Sequence, residues 1–358
     1  MLLANSEDTF RGGEFQTMLL ARGLAKSGCE VRLAIKGGSK LFDEVSEEFF
    51  VYGLPFETLP FFTPLRLSSI LNRWRPDILH AQSSRAHTHI LLASKISRWS
   101  PAIVVSRRTA FRVSSRFSAI LKYKRGVDIF LPISRAAAEE LKKAGVADER
   151  VEIVPSGIDI RKFKNVAERR NYLEGADAAG TFVVGTVASF EKEKGCDVLL
   201  RAAAKVVEKF PNAMFRLYGD GSLREKLAAL SKRLGIEKNV EFEGLKEPLE
   251  KVLARFDIFV LPSIEEGLST ALIAALASGC PVVASRTGGI PEVVGEGCGI
   301  LVEPARPDEL AESIATLLEN ESLRADLGTR ASRCVDNFDI DVTVDRTLAV
   351  YKKLLSNR

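Results

Sequence analysis

The chain is poor in the residues that most often carry redox and metal chemistry. Its 358 residues include 3 histidines and 5 cysteines. Cys29, Cys196, Cys280, Cys298 and Cys334 are scattered, and no two share Cys-x-x-Cys or metal-ligand spacing. A zinc finger and a disulfide scaffold are therefore excluded, and the thiols read as reduced, in a cytoplasmic protein. The histidines, His80, His87 and His89, form no Ser/His/Asp set. No apolar run reaches about 18 residues, so no membrane-spanning helix is expected. The first residues lack the basic and apolar segments of a signal peptide. No tandem repeat, heptad pattern or low-complexity tract is present.

What remains is ordinary globular composition, 46% hydrophobic and 27% charged. At roughly 150 residues per domain, two domains are expected. The net charge of +4 is uneven. Residues 1–160 hold 23 basic against 17 acidic residues, and the remainder 28 against 30. The excess concentrates between Arg98 and Arg125, which carries Arg107, Arg108, Arg112, Arg116, Lys122 and Lys124 and no acid. Phe111, Phe117 and Tyr123 interleave with these charges. The stretch reads either as a solvated face or as a patch for an anionic partner such as an acidic membrane surface. No nucleic-acid recognition motif accompanies it.

Short β-branched runs alternate with amphipathic patterns along the whole chain. Strands are predicted at residues 31–35, 77–80, 102–106, 128–133 and 151–154, then at 182–187, 213–218, 240–242, 258–261, 281–284 and 299–302. Helices are predicted at residues 14–27, after Ser134, and at 196–210, 223–234, 248–255, 267–278, 308–319 and 341–355. Such alternation means βαβ units with parallel sheets. A polar stretch from Pro155 to Gly180 reads as a domain linker. The expected organisation is residues 1–160 and 161–338 as two Rossmann-like doubly wound domains facing one cleft, and a helix at 339–358 crossing back to the first. In such sheets ligands sit outside the carboxyl ends of the strands.

Four loops at those ends carry chemistry-bearing residues. Gly12-Gly13 opens the first helix, where backbone could approach a phosphate closely. Lys192 and Lys194 precede Gly195 at another helix start, where a lysine can neutralise a departing phosphate. Pro262-Ser-Ile-Glu-Glu266-Gly267 precedes a small apolar helix, with the N–H groups of Gly267, Leu268, Ser269 and Thr270 at its start. The adjacent Glu265 and Glu266 are not the opposed carboxyl pair of a glycosidase. Gly288-Gly289 makes a second Gly-Gly turn. Asp339-Ile-Asp341 has metal-pair spacing but reads as a helix N-cap.

Together these pieces resemble the retaining glycosyltransferases of family 4, which have the GT-B fold. The match runs through Gly12-Gly13, Arg75-Pro-Asp-Ile-Leu-His80, Pro132-Ile-Ser134 and Val154-Pro-Ser-Gly-Ile-Asp159. It continues through Lys194-Gly195, Gly219-Asp-Gly221, Phe242-Glu-Gly244, Pro262-Ser-x-x-Glu266-Gly267 and Thr287-Gly-Gly-Ile-Pro-Glu292. The resemblance implies a nucleotide-sugar donor in the second domain and an acceptor in the first, with Glu266 holding sugar hydroxyls. Lys194 and the N–H groups of Leu268 to Thr270 would stabilise the leaving diphosphate, with Gly13 close by and no metal required. The donor is a substrate, so no cofactor is implied.

Three departures from the family pattern stand out. The second glutamate, eight positions after the first, is Ala274. The arginine five residues before the lysine is Ser189, with Lys192 as its stand-in. A cleft histidine is replaced by Arg107-Arg108, which with His80 would suit an anionic, lipid-linked or envelope-glycan acceptor. The leading reading is a cytoplasmic transferase, peripheral on the inner membrane face. A degenerate binding protein that has lost turnover, and a sugar-nucleotide epimerase of the same fold, are the alternatives.

Overall fold

The computed structural model describes residues 1–56, 62–109, 123, 125–164, 181–244 and 248–358. Two six-stranded parallel sheets organise the chain. The first contains β1 (Leu2–Asn5), β2 (Arg32–Lys36), β3 (Phe50–Leu54), β4 (Ile78–Ala81), β5 (Ala102–Arg107) and β6 (Ile129–Pro132). The second contains β7 (Phe182–Val187), β8 (Ala213–Tyr218), β9 (Val240–Glu243), β10 (Ile258–Leu261), β11 (Val282–Ser285) and β12 (Ile300–Val302). Their orders are β3-β2-β1-β4-β5-β6 and β12-β11-β10-β7-β8-β9. Each is the doubly wound order, reversing between β1 and β4 in one sheet and between β7 and β10 in the other. Those two reversals are where such a sheet opens a crevice for ligands.

Strands β1, β4, β10 and β11, all inside their sheets, and β6 at an edge are buried at every residue. This is why they read as near-continuous apolar runs rather than alternating ones. In the first unit the helices are α1 (Gly12–Lys26), α2 (Lys40–Val45), α3 (Phe62–Trp74), α4 (Ser84–Ile96) and α5 (Arg135–Lys143). In the second they are α6 (Cys196–Lys209), α7 (Arg224–Arg233), α8 (Leu249–Leu253), α9 (Thr270–Ala277), α10 (Ile290–Val294), α11 (Pro307–Glu319) and α12 (Glu321–Ala331), and α13 (Ile340–Ser356) closes the chain. Local chemistry sets the ends. Ser134 caps α5 by accepting from the Ala137 N–H at 3.2 Å. Pro307 opens α11, with Asp308 and Glu309 against its positive end. No helix among the described residues is long and apolar enough to cross a membrane.

Two compact units result, Met1–Gly157 with Ile340–Arg358, and Ile158–Asp339. The chain therefore changes unit at 157/158 and returns at 339/340. Ile158 donates its N–H to Phe338 at 3.0 Å and forms a bridge with Asp339, which fixes both crossings. In the first unit, Leu67, Leu71 and Ile90 pack on one face of the sheet. Leu20, Leu24, Val344 and Tyr351 pack on the other, so α13 is part of that core.

The structure corrects several expectations. Residues 151–154 form no strand. Glu152 and Val154 donate to Phe130 and Pro132 beside β6, but Pro155 ends the run after one bridge, Phe130 with Val151. The helix expected from Gly267 begins only at Thr270, because Ser269 takes the N-cap position and accepts from the Leu272 N–H at 3.2 Å. Cys298 and Cys334, expected as separate thiols, lie side by side with Cα atoms 6.5 Å apart. Their separation of 36 residues gave no signal for this proximity. Cys29, Cys196 and Cys280 belong to no disulfide, and burial pushes the Cys196 thiol up to about 12.

Candidate functional site

In the second unit, the loops after β7 and β10 flank the reversal of strand order and interlock. Lys194 ends a 3-10 turn, Lys192–Lys194, ahead of α6. Glu266 leaves β10 just before α9. The Lys194 Nζ lies 2.7 Å from Glu266 Oε2, and the Ser263 hydroxyl donates to the same oxygen at 3.2 Å. The Glu266 side chain is 8% exposed and that of Lys194 is 23% exposed. An ammonium and a carboxylate are thus held together beyond the carboxyl ends of β7 and β10, each keeping some exposed surface.

Backbone contacts fix this pair. Ile264 and Glu265 both donate their N–H groups to the Glu193 carbonyl, at 2.8 and 3.2 Å. The Thr287 hydroxyl donates to the Ile264 carbonyl at 3.0 Å. Gly195 has φ +62, and a Cβ there would meet the Pro262 oxygen at 2.1 Å. Gly288 has φ +54, and its Cβ would lie 1.6 Å from the Glu266 oxygen. Only glycine tolerates both the left-handed backbone and the close approach. The Gly219–Gly221 turn joins through Glu191, whose Oε2 accepts from the Ser222 hydroxyl at 2.6 Å.

The other sequence-predicted residues of this site are distributed unevenly. Ser189 is half-buried and Lys192 exposed on the same loop as Lys194. Gly267, Leu268 and Ser269 are buried, and Thr270 is half-buried at the start of α9. Gly289 is buried as the N-cap of α10. Ala274 is fully buried within α9, so the position implied for a second glutamate holds a methyl group without exposed surface. Glu265 is exposed. Ser263 and Thr287 lay inside recognised motifs without an assigned role; only the folded loops reveal them as supports. A groove of about 900 Å³ lies at the opposite, amino-terminal edge of this sheet, against Asp257, Gly279 and Arg324, and contains none of the predicted site residues.

In the first unit, Gly12 and Gly13 lie inside the first turn of α1 rather than before it. Glu14 caps that helix itself, accepting from the Arg11 N–H at 2.9 Å. Burial raises the Glu14 carboxyl above its ordinary value, partly offset by this backbone bond. Arg108 donates to Gln82 Oε1, and to the Ser156 hydroxyl at 3.4 Å; its stem passes Gly13. Burial lowers its guanidinium to about 10, leaving it charged at neutral pH. Arg107 donates to the Tyr123 hydroxyl at 3.2 Å. Tyr123 itself is buried, so this aromatic of the basic stretch faces the core rather than a partner. Arg112, Arg116, Lys122, Lys124, Phe111 and Phe117 lie outside the described residues.

His80 is a correction. It was expected among the acceptor-binding residues, but it is fully buried. Its Nδ1 lies 2.6 Å from the Tyr351 hydroxyl and its Nε2 2.9 Å from that of Ser106. It therefore joins β4, β5 and α13 inside the core. Burial, reinforced by the positive Arg108, lowers its pKa to about 3, so the ring is neutral across the physiological range. A base with a depressed folded pKa stabilises the fold above its unfolded pKa, and that stabilisation is lost as pH falls through the folded value. The His80 contribution should thus decline below pH about 6.5, by at most about 1.4 kcal/mol per pH unit. Denaturant unfolding of wild type and His80→Gln should converge as pH falls from 6.5 toward 4; parallel curves would refute the assignment. Tyr351→Phe should cost about 1–2 kcal/mol by urea unfolding, by leaving one ring nitrogen buried without a partner.

Among the described residues, no group of three or more His, Cys, Asp or Glu is placed to hold a metal ion.

Two doubly wound parallel-sheet units are the architecture of the GT-B class. The chain belongs to that class by sequence as well: it is a member of the family 4, group 1 glycosyltransferases. The Glycosyltransferase Family 4 model matches residues 10–162, and the Glycosyl transferases group 1 model matches residues 174–333. A D-inositol 3-phosphate glycosyltransferase of Corynebacterium urealyticum is 31% identical over 220 residues, 57% of this chain and 51% of that protein. A sulfoquinovosyl transferase of Arabidopsis thaliana is 28% identical over 293 residues, 76% of this chain and 56% of that protein. The chain thus spans about half the length of the curated relatives it matches. In fold, the crystal structure of Anabaena HepE in complex with UDP superposes with a TM-score of 0.85 at 20% identity, covering 98% of this chain and 99% of that one.

Proposed function

We propose that the chain is a retaining glycosyltransferase whose second unit holds a nucleotide-sugar donor. Its first unit would receive the acceptor, an anionic, lipid-linked or envelope glycan. The observation that carries this reading is the Lys194–Glu266 pair, held at 2.7 Å where the strand order reverses. A cation beside a carboxylate suits a donor that is a diphosphate at one end and a polyol at the other. Lys194 and the start of α6 oppose the negative charge that develops on the departing diphosphate. Glu266 accepts hydrogen bonds from the sugar hydroxyls. The bond from the anomeric carbon to the β-phosphate oxygen breaks through an oxocarbenium-like transition state. The acceptor oxygen attacks from the same face, and its proton passes to the departing phosphate oxygen. No step calls on a metal. That HepE was crystallised with UDP supports the donor, and that a curated relative is named for D-inositol 3-phosphate supports an anionic acceptor.

Incubation with UDP-, GDP- and ADP-sugars, reading released nucleoside diphosphate, tests this. One donor should be consumed slowly without acceptor and faster with it, and the product should keep the donor's anomeric configuration by NMR. An inverted product would overturn the retaining assignment.

Ala274 favours a second reading, a chain that retains the fold but holds its donor weakly. The family resemblance places there a glutamate that holds the ribose of the nucleotide, and a methyl group accepts no hydrogen bond. Ala274→Glu should bind the nucleotide about tenfold more tightly, while its free form is less stable because a fully buried carboxylate loses water without a partner. Unchanged nucleotide affinity in the variant would remove position 274 from the donor site.

A further inference from the structure

Among the described residues, every large apolar side chain left markedly exposed belongs to the first unit. Four of the six lie on two helices that pack side by side, α3 and α4: Phe62 at 40% exposed, Leu65 at 59%, Leu92 at 39% and Ile96 at 51%. Both helices bury their other faces in one core, through Leu67 and Leu71 of α3 and Ile90 and Leu91 of α4. Both follow a strand of a parallel sheet and return to the next, so they run in the same direction. Asn72, near the end of α3, accepts hydrogen bonds from Ser97, Arg98 and Trp99 just past the end of α4, which confirms that register.

The outer faces therefore form one continuous surface two helices wide. At its leading end Phe62 and Leu65 stand with Arg66 and Arg85, and the Arg66 guanidinium covers the Phe62 ring at 4.6 Å. At its trailing end Leu92 and Ile96 stand with Arg73 and Lys95. Neither helix contains an aspartate or glutamate. The second unit's helices are different. There α11 carries Asp308, Glu309, Glu312 and Glu319, two of which pair with Lys205 and Lys209 of α6.

We propose that the α3–α4 face docks the protein on an anionic phospholipid surface, the two helices lying in the plane of the interface. The chemistry selects this occupant over an acidic protein or a nucleic acid. Apolar side chains at both ends would enter the headgroup–acyl boundary, while the four basic ones meet lipid phosphates. A polyanion alone would reward only the charges. The proposal extends the reading of a lipid-linked acceptor, and gives the first unit the role of bringing the enzyme to it.

Flotation with vesicles containing about one-third phosphatidylglycerol in phosphatidylcholine, against pure phosphatidylcholine, tests the proposal at low and raised salt. The full chain should bind the acidic vesicles at least about tenfold more strongly than the neutral ones. Arg73→Glu with Lys95→Glu should abolish the preference. Leu65→Ser with Ile96→Ser should weaken binding about tenfold without removing the salt dependence. All four positions are exposed, so the variants should fold, as their unfolding midpoints will show. Equal vesicle binding by all variants, or no binding by the wild type, would overturn the proposal. So would heparin binding that matches vesicle binding and ignores the apolar pair. Nucleotide binding, read in the same samples, reports on the donor site separately: its loss would strike the proposed activity and leave the docking face standing.

Discussion

Lys194→Ala should lower sugar transfer by about 10²–10³-fold, the usual cost of removing one charge-stabilising donor from a leaving group. The loss should fall mainly on kcat, because the negative charge on the diphosphate grows as the glycosidic bond breaks. The same change leaves Glu266, 8% exposed, with the Ser263 hydroxyl as its one side-chain partner among the described residues. Stability should therefore drop as well, by about 1–2 kcal/mol once the partial exposure of the lysine is discounted. These two effects separate in a double variant. Lys194→Ala with Glu266→Gln removes the orphaned charge, so stability should recover while transfer stays low. If the double variant regained activity with stability, Lys194 would be a structural partner of Glu266 and no more. Steady-state kinetics and urea unfolding on the wild type and the two variants decide it.

Gly288→Ala should be the most damaging single methyl in the second unit. The added carbon would fall 1.6 Å from the Glu266 carbonyl oxygen, and the residue sits at φ +54. Neither the Gly288 turn nor the Glu266 loop can yield without the other moving. We expect a loss of about 2–4 kcal/mol in stability and a further loss of nucleotide binding as Glu266 shifts. Gly235→Ala provides the comparison. It too has positive φ, +70, but nothing lies within 4 Å of its Cβ. It should cost about 1 kcal/mol, the left-handed backbone alone, and leave binding untouched. Equal effects in the two variants would mean that the contact with Glu266 is slack.

The contrast between Lys194 and His80 shows how far the sequence could be read. Lys194 and Glu266 lie in separate loops 72 residues apart, yet both were legible, because each follows a buried strand and precedes a helix. Their direct pairing was not, since it depends on the strand order that makes β7 and β10 neighbours. His80 was equally visible on its strand, but its direction was not. Whether it faces a ligand or the core is decided by Tyr351, 271 residues away on α13. Residues 267–278 read as helical from apolar composition, and the helix starts later, at Thr270, because the Ser269 hydroxyl caps it. The α3 and α4 helices went unassigned. Their Phe62, Leu65, Leu92 and Ile96 stand exposed, a departure from the apolar-inward pattern of a surface helix. That same departure is what marks their face as a surface with a partner.

The central claim is that the loops around Lys194 and Glu266 hold the diphosphate of a nucleotide sugar. Calorimetric titration of the chain and of Lys194→Ala with UDP, GDP and ADP tests it most directly. The account predicts that one nucleotide binds the wild type and that Lys194→Ala binds it at least about tenfold more weakly. Binding that ignores Lys194→Ala, or no binding of any of the three, would contradict it.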